Sequence, residues 1–458
     1  MTRLRTVRCL AVALGLYGLL SAGPIHAQAA PEPPFRFTKV DLQLLDESNA
    51  VDRLLENRGL VYSDPVLEKH LAGITTPLLP KDAPEHVQWR FRILRDPLVS
   101  AFALPNGSIY VTTGLIARAE NDDQLAGVLA HETAHVSHRD PYLFNRSIRR
   151  KNVAMTVISG AAFSLSVFDI WWYPPGGIFL YPEGPCGATT SATANGSQVA
   201  SIFTVYGYSR TDERNADLNA AEGLKKSGRD PNQLVRVLGV MDQSFDPTPV
   251  AYIWQDHRKT EKRIAYLKTE LGLKGDAAAA PNAGYLARMR PVLVQNIQMD
   301  LDSRCFRSAV AGAQRLTDAR PDDPDALFWL AESYRAMGPR KPVLDKKEQT
   351  GSGQRKAYRR MAKLTEQEET EKLSGSPEGR AALNAHQRQA EELYRRATDL
   401  NPRFAMAQLG LGMLYQQENK PDDALIAYRK YLDLAPQGAD RERVQRRMAA
   451  LDSQGASR

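Results

Sequence analysis

The sequence predicts a mainly helical α+β domain with a small β-sheet, followed by an all-α domain. Three observations support this division. At 458 residues the chain is longer than one ordinary hydrophobic core requires, so we expect two domains. Short strand patterns alternate with amphipathic helices as far as residue 275. Beyond that point only helical patterns continue, and they carry a spacing of 34 residues.

The composition is that of a folded protein. Hydrophobic residues make up 43% of the chain and charged residues 25%, which is enough apolar material to pack an interior. The formal net charge of +7 falls to +4 when the three arginines of residues 1–27 are left out. Because this balance is mild, we expect no nucleic-acid partner.

The first 27 residues have the pattern of a secretory signal peptide. Three arginines precede an apolar run over Cys9–Leu20, and small residues follow as far as Ala27. The alternative is a retained membrane anchor, but this short run cannot cross a hydrocarbon layer about 30 Å thick. We therefore predict export and cleavage.

A strand and a hairpin are predicted ahead of the first well-capped helix. Val87–Leu94 alternates apolar and polar residues, as a half-buried strand does. Val99–Leu104 leads through Asn106 and Gly107 into Ile109–Val111. Asn-Gly between two β-prone runs is a strong hairpin signal, so we expect these two runs to pair.

The helix after this hairpin carries a metal-binding signature. Asn121 is expected to cap it, and His-Glu-Thr-Ala-His occupies residues 131–135. His131 and His135 share one helix face, so both imidazoles can bind one Zn²⁺. Glu132 then lies beside the open position of the metal as the catalytic base. The alternative is a pair of structural histidines.

A catalytic zinc needs a third protein ligand from farther along the chain. The metzincin pattern fails because Pro141 stands where its third histidine would be. No Asp or Glu lies between Pro141 and Phe168, so a nearby downstream carboxylate is also excluded. Glu213 and Asp217 are the best source, since they share a face of a predicted helix that Thr211 can cap.

The alanine-rich segment at 276–282 indicates a linker. With the signal peptide at 1–27, we predict a first domain at 28–275, a linker at 276–284 and an all-α domain at 285–455.

The all-α domain has the spacing of tetratricopeptide repeats, which have a 34-residue period. Pro402 and Pro436 lie 34 residues apart. Small and aromatic residues occupy the repeat positions between and before these prolines, namely Leu411, Gly412, Tyr415, Ala424 and Tyr428, preceded by Ala390, Tyr394 and Ala397. The alternative is an ordinary helical bundle. Repeats of this kind hold segments of partner proteins.

An insertion interrupts the repeats. Leu330, Ala331 and Tyr334 fit a first repeat helix if Pro321 ends an earlier unit. The matching second helix is then displaced by a charged insertion at about 338–383, which is predicted to be either solvated helix or a disordered loop.

These motifs together resemble the HtpX/BepA family of zinc metallopeptidases, and most closely its BepA-type periplasmic branch with C-terminal tetratricopeptide repeats. The resemblance rests on Phe102–Leu115, Val128–Val136, Tyr208–Asp217 and the repeats, so it covers nearly the whole chain after the signal peptide. It implies a zincin-like first domain with one Zn²⁺ per chain. In this family the Glu of Glu-x-x-Ala-Asp is the third ligand, which by position is Glu213.

The resemblance also implies roles for residues outside the ligand set. Asp217 is expected to orient a ligand histidine, with a helix cap or surface acid as the alternative. His257 is expected to gate the site or act in the transition state, although Arg258 replaces the family's proline there. The alternative for His257 is a surface histidine. Arg263 is expected to pair with a carboxylate of the zinc helix, or else to form an ordinary surface salt bridge.

The expected function is that of a periplasmic zinc-dependent endopeptidase of unfolded or misfolded exported proteins, including outer-membrane proteins. We expect Phe102, Ala103 and Leu104 to bind extended substrate at the rim of the cleft. The repeats are expected to recruit the outer-membrane assembly machinery. The alternative is a chaperone or assembly adaptor with latent or minor protease activity.

The segment at 165–200 is expected either to plug the site, to touch a membrane surface or to be a buried helix with a long loop. The pairing of Cys186 with Cys305 is left open.

Overall fold

The computed structural model describes residues 35–80, 84–147, 209–242, 246, 260–274, 282–346, 356–357, 360–361 and 363–456. The chain divides into the compact units Met1–Gln43 and Leu44–Arg458, and the contacts discussed below lie in the second. The predicted signal peptide, the segment at 165–200, Cys186 and His257 lie outside the described residues.

The N-terminal half mixes helices with short strands, as predicted. Its elements are α1 (Lys39–Asn57), β1 (Val61–Tyr62), α2 (Pro65–Thr75), a 3-10 turn (Thr76–Leu78), β2 (Arg90–Leu94), β3 (Ala101–Ala103), β4 (Ser108–Thr112), α3 (Thr113–Arg118), α4 (Asp122–Ser137), α5 (Arg210–Lys226), α6 (Asn232–Asp242) and α7 (Thr260–Leu271).

The described part of the C-terminal half is helical, which confirms the predicted fold class. Its elements are α8 (Ala283–Asp302), α9 (Phe306–Ala319), α10 (Pro324–Met337), α11 (Glu366–Ser374), α12 (Pro377–Leu400), α13 (Ala405–Gln417), α14 (Pro421–Leu434) and α15 (Arg441–Ala456). No helix among the described residues is both long enough and apolar enough to cross a bilayer.

The four described strands form one mixed sheet in the order β1-β2-β4-β3. β2 and β4 are parallel, whereas β3 and β4 form the predicted antiparallel hairpin, in which Phe102 pairs with Tyr110. Gly107 has a φ of +92°, and a Cβ at this position would lie 2.6 Å from the Gln88 carbonyl oxygen. The turn therefore needs glycine both for its backbone angle and for the close approach of the segment just before β2.

One buried carboxylate fastens helix α1 to this hairpin. Asp52 accepts hydrogen bonds from the Asn106 amide, the Ser108 hydroxyl and the Tyr110 hydroxyl, at 2.8, 2.8 and 2.7 Å. A buried carboxylate with three donors is satisfied, so this contact joins α1 to the turn between β3 and β4 and to β4 itself.

Helix α4 lies in the middle of the first hydrophobic core. The Asn121 side chain caps it by accepting a hydrogen bond from the Gln124 amide at 2.9 Å, as the sequence predicts. Leu125, Ala126 and Leu129 are fully buried. Because sheet and helices cover this helix, side chains on its second half are held inside the protein.

The same core continues past the predicted linker. Helix α8 begins at Ala283, inside the predicted linker span, and the Tyr285 hydroxyl donates to the Ile116 carbonyl at 2.7 Å. Arg315 donates to the Ala119 carbonyl at 2.7 Å. Helices on both sides of the predicted linker contribute side chains to one hydrophobic core. The domain boundary itself stays a prediction.

The repeats pack through glycine–tyrosine pairs. A Cβ on Gly410 would lie 2.3 Å from the ring of Tyr394, and one on Gly412 would lie 2.4 Å from the ring of Tyr428. Small and large repeat positions therefore interlock as the 34-residue spacing predicts.

Helix α10 packs directly on α12, although a long stretch of chain separates them. Part of the predicted insertion is itself helical, since α11 and the first turns of α12 fall within it.

We expect Gly410→Ala to lower the free energy of unfolding by about 1–3 kcal/mol, because the added methyl group overpacks against the Tyr394 ring. Urea unfolding would measure this loss. Gly239→Ala on α6 is a matched control, since open space surrounds that position, and it should leave the free energy of unfolding unchanged or raise it by up to about 1 kcal/mol. Equal losses in both variants would contradict the interlocking.

Asp96 gives a second prediction. It is buried between β2 and β3, where its carboxylate accepts a hydrogen bond from the Leu98 amide, and burial raises its pKa to about 6. The unfolded value is about 3.9, so the folded state binds more protons between about pH 4 and 6, and stability falls as the pH rises through this window.

Asp96→Asn removes this titration. From pH 4 to pH 7 the wild type should lose up to about 3 kcal/mol of unfolding free energy more than the Asp96→Asn variant does. Urea unfolding at both pH values measures the shift, with the exposed Asp422→Asn as control. A pH-independent difference would refute the assignment.

Candidate metal centre

Two imidazoles and one carboxylate meet between α4 and α5. His131 and His135 lie one turn apart on α4, and their Nε2 atoms are 3.2 Å apart. The Glu213 carboxylate of α5 lies 3.7 Å from Nε2 of His131 and 3.8 Å from Nε2 of His135. The structure therefore brings together the three ligands that the sequence predicts.

The spacing of these three groups fits a zinc ion. Ligand atoms about 2.1 Å from a tetrahedral zinc lie about 3.4 Å from one another. The observed separations of 3.2, 3.7 and 3.8 Å bracket this value. Two imidazole nitrogens and a carboxylate oxygen are also a donor set that zinc prefers, and they leave a fourth position for water or substrate.

Local sequence explains how Glu213 comes to face the histidines. Ser209 caps α5 through a capping box with Asp212, so the predicted cap at Thr211 is wrong by two residues. The hydroxyl of Ser209 and the carboxylate of Asp212 satisfy each other's backbone amides, which is why the helix begins before Thr211. The predicted common face of Glu213 and Asp217 is present.

Asp217 contacts the first ligand histidine. Its Oδ1 lies 2.9 Å from Nδ1 of His131, and the carboxylate is fully buried. Arg263 donates to both carboxylate oxygens at 2.8 and 2.7 Å, and the Tyr266 hydroxyl also donates to the carboxylate. Burial raises the pKa of Asp217, but Arg263 and His131 outweigh it and hold the pKa well below the usual value. A carboxylate at Nδ1 leaves Nε2 of His131 available to the metal.

Arg263 is buried and pairs with α5. Its partners are Asp217 and Glu213, the latter at 3.4 Å. The prediction that Arg263 pairs with a carboxylate of the zinc helix is therefore wrong. The alternative of a surface salt bridge is also wrong, because Arg263 is buried. The reason is that α7 packs against α5, where these two carboxylates point inward. Burial raises the pKa of Glu213, but His131, Arg263 and His135 together lower it. Glu213 is thereby kept in the ionised form that a metal binds.

The second ligand histidine has a carboxylate partner that sequence reasoning missed. Asp140 Oδ2 lies 2.8 Å from Nδ1 of His135, and both side chains are buried. Helix α4 ends at Ser137 with His138 as its C-cap. Arg139 then takes a φ of +64°, which turns the chain so that Asp140 faces back toward the helix. The available signal was an acidic residue five positions after the second histidine.

Glu132 lies between the two ligands in sequence and is half-buried. Burial raises its pKa, His131 and His135 lower it, and Glu213 raises it again, so the pKa ends above its ordinary value. A carboxyl group with a raised pKa both takes up and retains a proton more readily at neutral pH, which suits a general base that later acts as an acid.

The side chains of the three predicted substrate-binding residues lie in the hydrophobic core. Phe102, Ala103 and Leu104 are buried, and the Phe102 ring stacks on Tyr110 at 4.9 Å. β3 is nevertheless the last strand of the described sheet on the side of α4. Their role, like that of His257, stays a prediction.

Comparison with known proteins agrees with this geometry. Residues 68–271 match the family described as "Peptidase family M48", and residues 378–439 match "Tetratricopeptide repeat". The first match contains all three metal-site residues, and the second contains the Gly410–Tyr394 and Gly412–Tyr428 pairs.

Matches to named relatives in two bacteria cover more of this chain than the family match does. One relative is a Vibrio cholerae serotype O1 protein that is named for the beta-barrel assembly-enhancing proteases. It is 25% identical to this chain, and the match covers 65% of this chain and 58% of the relative. The beta-barrel assembly-enhancing protease of Escherichia coli K12 is 24% identical over 53% of this chain and 44% of its own. The mitochondrial metalloendopeptidase OMA1 of Schizosaccharomyces pombe is 45% identical over 49 residues, 11% of this chain and 14% of its own. The chain thus spans about half the length of the two bacterial relatives.

We expect Asp140→Ala to weaken zinc binding about 10–100-fold, because His135 loses the group that orients its ring. Competition with a chromogenic chelator measures the affinity. Glu261→Ala removes an exposed carboxylate of α7 and should leave the affinity unchanged. An Asp140→Ala protein that binds zinc like the wild type would show that the contact does not orient the ligand.

Proposed function

Since residues 68–271 of this chain belong to peptidase family M48 and tetratricopeptide repeats follow them, we propose that it is an exported zinc endopeptidase of unfolded or misfolded proteins. The observation that supports this proposal most is the cluster of Glu213 with the buried His131 and His135, in which each imidazole has its own carboxylate partner. This is the arrangement of a catalytic zinc with three protein ligands and supporting outer contacts.

The chemistry follows from the residues around the cluster. Zinc bound there supplies Lewis acidity, which lowers the pKa of a coordinated water and polarises a peptide carbonyl. Glu132 takes the proton of the attacking water and returns it to the leaving amine. Asp217 and Asp140 each pair with Nδ1 of one imidazole, so that Nε2 of each ring faces the metal position. Arg263 balances the charge of Asp217 and Glu213.

Main-chain pairing is the mode of substrate binding that the fold supports. The side chains of Phe102, Ala103 and Leu104 are held in the core, so substrate would contact this strand through its backbone amides and carbonyls. An extended peptide added beside β3 is read mainly by its main chain. A site of this kind selects unfolded chains and tolerates many sequences.

The names of the relatives and the sequence of residues 1–27 support a proposed location and proposed partners. The two bacterial relatives are named for enhancing β-barrel assembly. Residues 1–27 have the pattern of a signal peptide. We therefore assign the chain to the periplasm, with outer-membrane proteins among its substrates. The repeats would recruit the outer-membrane assembly machinery, with peripheral membrane contact as a further part of the proposal.

Glu132→Gln should lower the rate of casein cleavage by at least about 100-fold and leave one zinc per chain bound, because it removes the proton acceptor and no ligand. Fluorescent casein hydrolysis and metal analysis of the same preparation measure both quantities. Glu222→Gln on α5 is exposed and serves as the control, with wild-type cleavage expected.

Equal cleavage by Glu132→Gln and wild type would refute the proposed base. A zinc-loaded wild type that suppresses aggregation of unfolded proteins but cleaves none would favour the chaperone or adaptor function.

A further inference from the structure

The described part of the insertion between α10 and α12 is docked on the fold by a buried ion-pair network. The Glu369 carboxylate of α11 accepts hydrogen bonds from Arg304 at 2.7 Å and from Arg340 at 2.8 Å. The Arg340 guanidinium also lies over the Phe306 ring, 4.4 Å from its centroid. Glu369 and Arg340 are both buried. Breaking such a network leaves an uncompensated buried charge, so α11 is held firmly against the turn between α8 and α9.

An open cavity of about 420 Å³ lies on this docked segment. Its lining residues are Lys356, Arg360, Lys363, Leu364 and Lys372. All four charged groups of the lining are cationic. The Leu364 carbonyl accepts a hydrogen bond from Arg304 at 3.4 Å, which ties one wall of the cavity to the buried network.

Three of the four acidic residues of α11 make hydrogen bonds of their own. Glu369 is taken by the two buried arginines. Glu368 accepts from the backbone amide and the hydroxyl of Thr365 in a capping box, and Glu371 accepts from the Gln367 side chain at 2.9 Å. None of these carboxylates lines the cavity. The charged side chains that line the cavity are therefore all cationic, and these three carboxylates are not among them.

We propose that this cavity binds a compact, multiply charged phosphate group. The three lysines of the lining bring several ammonium groups to one concave site, and lysine binds phosphate as a point charge. A volume of about 420 Å³ is that of a small-ligand site. A concave site of this size suits a compact phosphate group, whereas nucleic acid is bound along an extended basic face.

A phosphate group of this kind can come from two sources. One is the headgroup of an anionic phospholipid in a membrane surface, and the other is a soluble phosphate compound. The recognition chemistry in the cavity is the same for both, and binding experiments with different probes separate them.

The first experiment measures pyrophosphate binding to the full chain by calorimetry at low salt. Lys363→Gln combined with Lys372→Gln should weaken binding at least about tenfold, since each removes one unit charge close to the ligand. Lys341→Gln combined with Lys430→Gln removes the same total charge at exposed positions outside the cavity and should change the affinity less than twofold. Both variants should keep the wild-type melting temperature and casein cleavage, because all four side chains are exposed and distant in sequence from the metal site.

The second experiment identifies the source. The wild type is floated with phosphatidylglycerol vesicles and, as a control, with phosphatidylcholine vesicles. The cavity is assigned to a lipid headgroup if the protein floats only with phosphatidylglycerol and if the variant with both Lys363→Gln and Lys372→Gln no longer floats. Pyrophosphate binding without flotation assigns it to a soluble phosphate compound. The proposal is overturned if neither probe binds, if the control variant loses as much affinity as the cavity variant, or if a tetraglutamate peptide competes as well as pyrophosphate.

Discussion

The buried ion pair between Asp217 and Arg263 is the contact on which the metal centre depends. Asp217 is fully enclosed, and its charge is tolerable only because Arg263 donates to both of its oxygens and the Tyr266 hydroxyl supports it. Once Asp217 is buried, its ionised form is therefore stabilised by the docking of α7, which carries Arg263, on α5. An ionised Asp217 fixes the His131 ring, and the same arginine lies within reach of Glu213. One electrostatic requirement thus links α4, α5 and α7 and places the third ligand.

The two ligand histidines are supported in different ways. His131 depends on Asp217, more than eighty residues away in sequence, and on the packing of two further helices. His135 depends on Asp140, which a left-handed turn at Arg139 brings back against the same helix. The first support forms only when the tertiary structure is complete, whereas the second is local. The His135 side of the centre can therefore be ordered before the His131 side is complete.

The helical half shows how far a repeat pattern predicts structure. Gly410 and Gly412 lie at small positions of α13 because tyrosine rings occupy the space where their side chains would be. The two rings belong to Tyr394 and Tyr428, which are 34 residues apart, the period of the repeat. The spacing also predicts that α10 pairs with α12 across an insertion. Composition alone left the insertion as either helix or loop, since its charged residues suit both. Its docking needed Arg304, Arg340 and Glu369 to meet, and nothing in their spacing indicates that they do.

The sequence by itself determined the hairpin, the zinc helix with its cap, the repeat spacing and the two histidines, because each depends on residues within a few turns of one another. It also narrowed the third ligand to a helix carrying Glu213 and Asp217. Only the tertiary structure decided that Arg263 pairs with that helix and not with the zinc helix, that Asp140 supports His135, and that the Phe102 side chain lies in the core. The physical reason is that these contacts satisfy buried charges or fill space between elements distant in sequence or beyond a chain reversal. Their partners are set by how helices and sheet pack, which local periodicity does not encode.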